Sequence, residues 1–152
     1  MKLISQWVAP CLLLVPMFVF AAPQASEPIK AINESLQKVV DKSQAATDSW
    51  LALIDGNKYA ESWSQASLQF RNTIKQKEWI IAMQKIRSPL GPVVKRSIAD
   101  VRTSTNPSGM PKGDYMVFYF NTAFKNKPKA NELVTLVLES DGQWRVLTYE
   151  VN

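Results

Sequence analysis

The side chains here that could do chemistry are cations, carboxylates, tyrosines and tryptophans, because the 152 residues hold no histidine and one cysteine, Cys11. Arg87 and Arg96 bracket the turn Pro89-Leu90-Gly91-Pro92, and two guanidinium forks in such a place would clamp a carboxylate or phosphate. Their structural use would be different: Arg87 complementing a helix C-terminus, Arg96 pairing with an acid across a sheet. Glu132, with Tyr149, Tyr115 and Tyr119 nearby, is the group a cavity could recruit for proton transfer. A carboxyl in an apolar pocket has its pKa raised and serves as acid or base, whereas the same side chain in an ion pair is structural. Trp63 and Trp144 are the tryptophans best suited to line a pocket, while Trp50 and Trp79 read as core. The candidate ligand-binding set is therefore Trp63, Arg87, Arg96, Tyr115, Glu132, Trp144 and Arg145.

Other chemistries fail on their residues. No second carboxylate stands at a spacing suited to paired-acid hydrolysis. Asp55-Gly56-Asn57-Lys58-Tyr59 lacks the later oxygen ligands of a calcium loop, and no glycine-rich phosphate loop or serine nucleophile elbow is present. No cofactor or metal is implied. Asn33-Glu34-Ser35 matches a glycosylation sequon but falls inside a predicted helix. Lys125, Lys127 and Lys129 alternate along a predicted loop from Lys125 to Asn131, where they would touch anionic glycan or lipid or stay hydrated at a hairpin tip.

The first residues carry an address. Lys2, the apolar run from Trp7 to Phe20 and the small residues Ala21 and Ala22 form the pattern of a secretory signal peptide, with cleavage expected after Ala21. Pro10 and Pro16 interrupt the run, which is also short for a membrane span, so no stable span is expected after cleavage. Cys11 precedes most of the run, unlike a lipid-modified cysteine. The expectation is thus a periplasmic or secreted protein with residues 1–21 as signal peptide, 22–27 as a flexible terminus and 28–152 as a single α+β domain. Cleavage removes Cys11, which excludes disulfides and thiol chemistry from the mature chain. It also removes Lys2, taking the balance from 18 − 13 = +5 to 17 − 13 = +4, too small to argue a nucleic-acid partner.

The elements that must position these residues follow from periodicity. Ile29, Ile32, Leu36, Val39, Ala46, Trp50 and Ile54 recur at helical spacing behind a Ser26 cap and stop at Gly56. Tyr59, Trp63, Ala66 and Phe70 predict a second helix. A third is predicted from Thr73, with Gln76 completing a capping box, through Trp79, Ile80, Met83 and Ile86. Four strands then follow: 93–103, the aromatic run Tyr115 to Phe120, 132–139 and 144–151. Asp141-Gly142 predicts a two-residue hairpin turn. That turn sets Glu139 opposite Trp144, Val137 opposite Val146 and Thr135 opposite Thr148, so Glu132 shares a face with Arg145, Leu147 and Tyr149. Both faces of such a sheet carry apolar residues. One would be covered by the helices, and the other left for a pocket, a partner or a second copy. Three helices packed on a four-stranded antiparallel sheet define α+β.

Several residues together resemble a known family. Trp50-Leu51, Asp55-Gly56, Tyr59, Trp63, Trp79, Arg87-Ser88-Pro89-Leu90-Gly91, Arg96, Gly113-Asp114-Tyr115, Thr122-Ala123-Phe124, Glu132, Asp141-Gly142-Gln143-Trp144-Arg145-Val146 and Tyr149 look like the bacterial secreted domain-of-unknown-function family 4019, over about residues 45 to 152. The resemblance implies a fold similar to nuclear transport factor two-like and cystatin-like domains, a cone in which a curved sheet wraps a long helix and leaves a cavity at the wide end. It brings no catalytic or ligand residues. The function expected is non-enzymatic binding of a small ligand or an envelope protein. The alternatives are an isomerase- or cyclase-like enzyme using Glu132 or a tyrosine as general base, and a homodimer pairing sheet to sheet.

Overall fold

A computed structural model describes residues 27–152. The predicted signal peptide, its cleavage site after Ala21 and the residues through 26 lie outside the described residues. Helices come first: α1 (Glu27–Asp55), α2 (Tyr59–Gln65), α3 (Leu68–Thr73) and α4 (Gln76–Arg87), then a 3-10 turn at Ser88–Leu90. The strands β1 (Val93–Thr105), β2 (Asp114–Phe124), β3 (Lys127–Leu138) and β4 (Trp144–Val151) form one curved, open antiparallel sheet in chain order. The α+β class predicted from the element order is the class observed.

Two helix boundaries differ from the predicted ones. The second predicted helix is split at Ala66-Ser67, because Ser67 takes an extended backbone and caps α3, its hydroxyl accepting from the Phe70 N–H at 3.1 Å. The Ser67 N–H is then free to donate to the Val146 carbonyl at 2.9 Å, which pins the helices to β4. α4 begins at Gln76 rather than Thr73, since the Thr73 hydroxyl donates back to the Gln69 carbonyl at 2.9 Å and closes α3. Glu78 instead accepts the Lys75 N–H at the start of α4.

The core lies between the helices and one sheet face. Trp50, Leu51, Ile54, Phe70, Trp79 and Met83 meet Met116, Phe118, Phe120, Val134, Leu136 and Val146, all buried. Trp50 touches Trp79 and Tyr149 at centroid distances of 6.0 and 5.5 Å. Both indoles are satisfied on α2: Trp50 Nε1 donates to the Ser62 carbonyl at 2.8 Å and Trp79 Nε1 to the Ser62 hydroxyl at 3.0 Å. Aromatic side chains therefore fill the middle of the helix–sheet interface. The helical stripe predicted for α1 behaves in two ways. From Ser43 onward it is buried, whereas Ile29, Ile32, Leu36 and Val39 are exposed.

The β3–β4 hairpin corrects the predicted turn. The Gly142 N–H donates to the Glu139 carbonyl and the Glu139 N–H to the Gln143 carbonyl, with Gly142 at φ 76°, so the loop is three residues long. Leu138 consequently pairs with Trp144, Val137 with Arg145 and Leu136 with Val146. A bulge at Leu147 then takes up one residue, and Thr135 pairs with Thr148 as expected. Between loop and bulge every side chain of β4 is on the face opposite to the predicted one. The segment predicted as a lysine-bearing loop also differs: only Lys125 and Asn126 form the turn, and Lys127 and Lys129 belong to β3.

Candidate functional site

The polar residues singled out in the sequence converge in part. Asp55 at the end of α1, Arg87 at the end of α4, Arg96 on β1 and Glu132 on β3 form one ionic network between the helices and the sheet. Arg96 donates through Nε to Glu132 Oε2 at 2.7 Å and through Nη2 to Oε1 at 3.1 Å, while Nη1 reaches Asp55 Oδ2 at 2.7 Å. Arg87 Nη2 donates to Asp55 Oδ1 at 2.7 Å. Thr122 and Tyr149 complete the shell, each hydroxyl donating to a different Glu132 oxygen at 2.6 Å.

The sequence puts these groups together for local reasons. Asp55 ends α1 because Asn57, and not Gly56 as the sequence suggested, takes the left-handed conformation at φ 58°, and Arg87 sits in the last turn of α4, where a cation complements the helix dipole. Period two on β2, β3 and β4 sends Thr122, Glu132 and Tyr149 to the core side.

Glu132 has no exposed side-chain surface. Burial pushes its carboxyl up, but the Arg96 hydrogen bonds and charge, joined by the Thr122 and Tyr149 hydroxyls, outweigh burial and hold it below its ordinary value. Burial and the adjacent Glu132 charge raise the Tyr149 phenol far above its own. The guanidinium of Arg87 is buried too, with Nε and Nη1 lacking a hydrogen-bond partner. It lies 4.4 Å from the Phe124 ring centroid, and Nη1 is 3.9 Å from Glu132 Oε1. Two positive and two negative charges thus neutralise one another. The forks that could have gripped an external anion grip the chain's own carboxylates.

The remaining sequence candidates lie elsewhere. Trp63 donates Nε1 to the Ile74 carbonyl at 2.8 Å and packs against the core rim. Trp144 and Arg145 line a groove of about 610 Å³ between α1, α2, α3 and the β3–β4 hairpin. Arg145 does not share a face with Glu132, as the three-residue loop requires. It is bound to Glu139 at 2.6 Å and Asp141 at 2.7 Å, and its hydrogen bond holds the Asp141 carboxyl down at about 2. Tyr115 is on the far side of the sheet, its hydroxyl donating to the Pro111 carbonyl at 2.7 Å.

That far face is where the chain leaves apolar surface uncovered. Val117, Tyr119, Leu133 and Thr135 alternate with the core residues of β2 and β3, stand side by side in register and are half-buried. The helices pack on the opposite face, and the loop before β2 reaches the Tyr115 end only. Sequence reasoning predicted this second apolar face. It missed Asp55 and Thr122, because Asp55 reads as a helix stop and no pattern in a strand tells a buried threonine from an exposed one.

Among known proteins, a structure from Catenulispora acidiphila matches 78% of this chain and 93% of its own, with a TM-score of 0.53 at 14% identity. At that identity the likeness is one of fold. No curated protein matches. The profile of a family described as a protein of unknown function, DUF4019, matches residues 46–149, which run from the buried half of α1 to Tyr149 of the ionic network, and the chain belongs to that family.

Proposed function

We propose that the chain is exported and works as a non-enzymatic, cone-shaped binding domain whose protein partner docks on the uncovered sheet face. The observation that carries this is the division of labour between the two sides of one sheet. On the inner side the groups capable of proton chemistry are consumed in a neutral, buried network. On the outer side Val117, Tyr119, Leu133 and Thr135 are half-buried, with the Arg102 guanidinium 4.9 Å from the Tyr119 ring centroid and no described helix packed over them.

The enzyme alternative needs Glu132 to offer a free oxygen at a pKa near neutrality. Both oxygens are taken by donors, and the carboxyl is held low rather than raised. A tyrosine base fares no better at Tyr149, whose phenol is pushed further from neutrality.

A photo-crosslinking amino acid at Thr135, in protein made by its native cells, tests this, with exposed Gln84 on α4 as the control position. The expected result is a discrete adduct from position 135 and none from 84. An adduct of twice the chain mass would identify the partner as a second copy. Folded protein yielding no adduct at 135 would contradict the proposal.

A further inference from the structure

We infer that the uncovered face ends, beside the β2–β3 turn, in a pocket for carboxylates, and that the docking partner places an acidic segment there; this rests on the partner reading above. The register sets Ser97, Asn121 and Asn131 side by side on β1, β2 and β3, with Lys95 opposite Ala123. Together with Pro128 and Lys129 these residues enclose a groove of about 460 Å³.

Two irregularities build it. Thr122 pairs with Ala130 while Phe124 pairs with Lys127, so Ala123 faces both Pro128 and Lys129 across a bulge. On the other side β1 slips by one residue at Val94, immediately before Lys95. Each bulge bends its strand beside a floor made of Ser97 and Ala123, side chains too small to fill the space between them. The turn itself is fixed, since the Lys125 and Asn126 N–H groups donate to the Pro92 and Leu90 carbonyls at 2.9 Å.

The electrostatics run one way. No acidic side chain lines the groove, and among the described residues neither Lys95 nor Lys129 forms an ion pair. Arg102 and Arg145, by contrast, are both neutralised by acids of their own segments. Glu150, opposite Leu133, is on the outer face beyond the groove. Lys95 and Lys129 stand two strands apart, roughly 10 Å between backbones. Two long ammonium arms can close that gap on one carboxylate or serve two, with the Asn121 and Asn131 amides as neutral donors between them.

Continuity decides the ligand class. Along β2 and β3 the next outer residues after Asn121 and Asn131 are Tyr119 and Leu133, so the basic groove opens directly onto the apolar track. A segment with adjacent acidic and aliphatic side chains matches both parts at once.

The probe is the peptide acetyl-Leu-Glu-Glu-Leu-amide, titrated into isotopically labelled protein at low salt, with acetyl-Leu-Gln-Gln-Leu-amide, inorganic phosphate and phosphatidylglycerol vesicles as comparisons. The expected result is saturable movement of the Asn121, Ala123, Lys129 and Asn131 amide resonances with the acidic peptide, at least tenfold weaker in the Lys95→Gln/Lys129→Gln double variant and weak with the glutamine peptide. The inference is overturned if the acidic peptide moves nothing, if the double variant responds unchanged, or if phosphate or vesicles give the same response at lower concentration. Adducts at position 135 that persist undiminished in the double variant would sink the acidic-segment inference while leaving the partner reading standing; loss of adducts in the native protein would sink the partner reading itself.

Discussion

Glu132 is a carboxylate without access to water, and such a group persists only where its neighbours replace everything water supplied. Arg96, Thr122 and Tyr149 do so with four hydrogen bonds. Glu132→Gln should therefore lower folding stability by about 3 kcal/mol, because it leaves Arg87 and Arg96 with one buried counter-charge fewer. Tyr149→Phe should cost about 2 kcal/mol, the loss of one hydrogen bond to a charged group. Urea melts of purified protein measure both. The pH dependence has a definite sign. The carboxyl titrates near 4.5 when unfolded and lower when folded, so its stabilisation is complete above about pH 4.5 and is lost as pH falls through the folded value. In Tyr149→Phe the loss should start at the same pH, which the unfolded carboxyl sets, but end at a higher pH with a smaller total, since a donor to the ionised form is gone, and the difference between the two pH profiles isolates Glu132. The sequence showed which residue types were available, with Arg87 and Arg96 read as a pair of forks and Glu132 read apart from them beside Arg145 and Tyr149. It could not show that Asp55 would close the set and neutralise it, because Asp55 and Arg96 are 41 positions apart and meet only through the packing of α1 against the sheet.

Among the elements, α1 divides most sharply. Its apolar spacing runs from Ile29 to Ile54 with Ser43 taking one place in the stripe, yet packing begins only at Val40, so the part before it extends by roughly 20 Å as a helix outside the core. Amides of residues 30–38 should exchange with solvent at the rate of a fraying helix, while those of 47–54 should approach the protection of global unfolding. Equal protection in both halves would mean that Ile29, Ile32, Leu36 and Val39 are covered in solution. Periodicity specifies that a face is apolar; whether anything lies against it is decided by the length of the sheet. The β3–β4 hairpin shows the complementary limit. Asp141-Gly142 correctly marked a turn, but Ser140 joined it, and one added residue inverted every side chain until the bulge at Leu147 restored the register. Arg145 was misplaced for that reason alone. The lysine segment was misjudged because Pro128 and three lysines read as loop, whereas Pro128 sits at a bulge, where a strand tolerates it. β1 carries its own irregularities at the sheet edge, with bulges at Val94 and Ala99 and cations at Lys95 and Arg102, devices that discourage another strand from pairing there.

At the scale of the whole molecule, the two faces of one sheet hold stability and recognition apart. Substitutions on the inner face should weaken the fold and leave docking intact in whatever protein remains folded; substitutions on the outer face should do the reverse. Leu133 is half-buried, so Leu133→Arg should cost about 1 kcal/mol, less than the inner-face substitutions. The measurement that tests this most directly is adduct yield from the photo-crosslinker at position 135, normalised to folded protein, in Tyr149→Phe and in Leu133→Arg. The yield should be retained in Tyr149→Phe and lost in Leu133→Arg. Retention in Leu133→Arg together with loss in Tyr149→Phe would place recognition on the helix side and contradict the account.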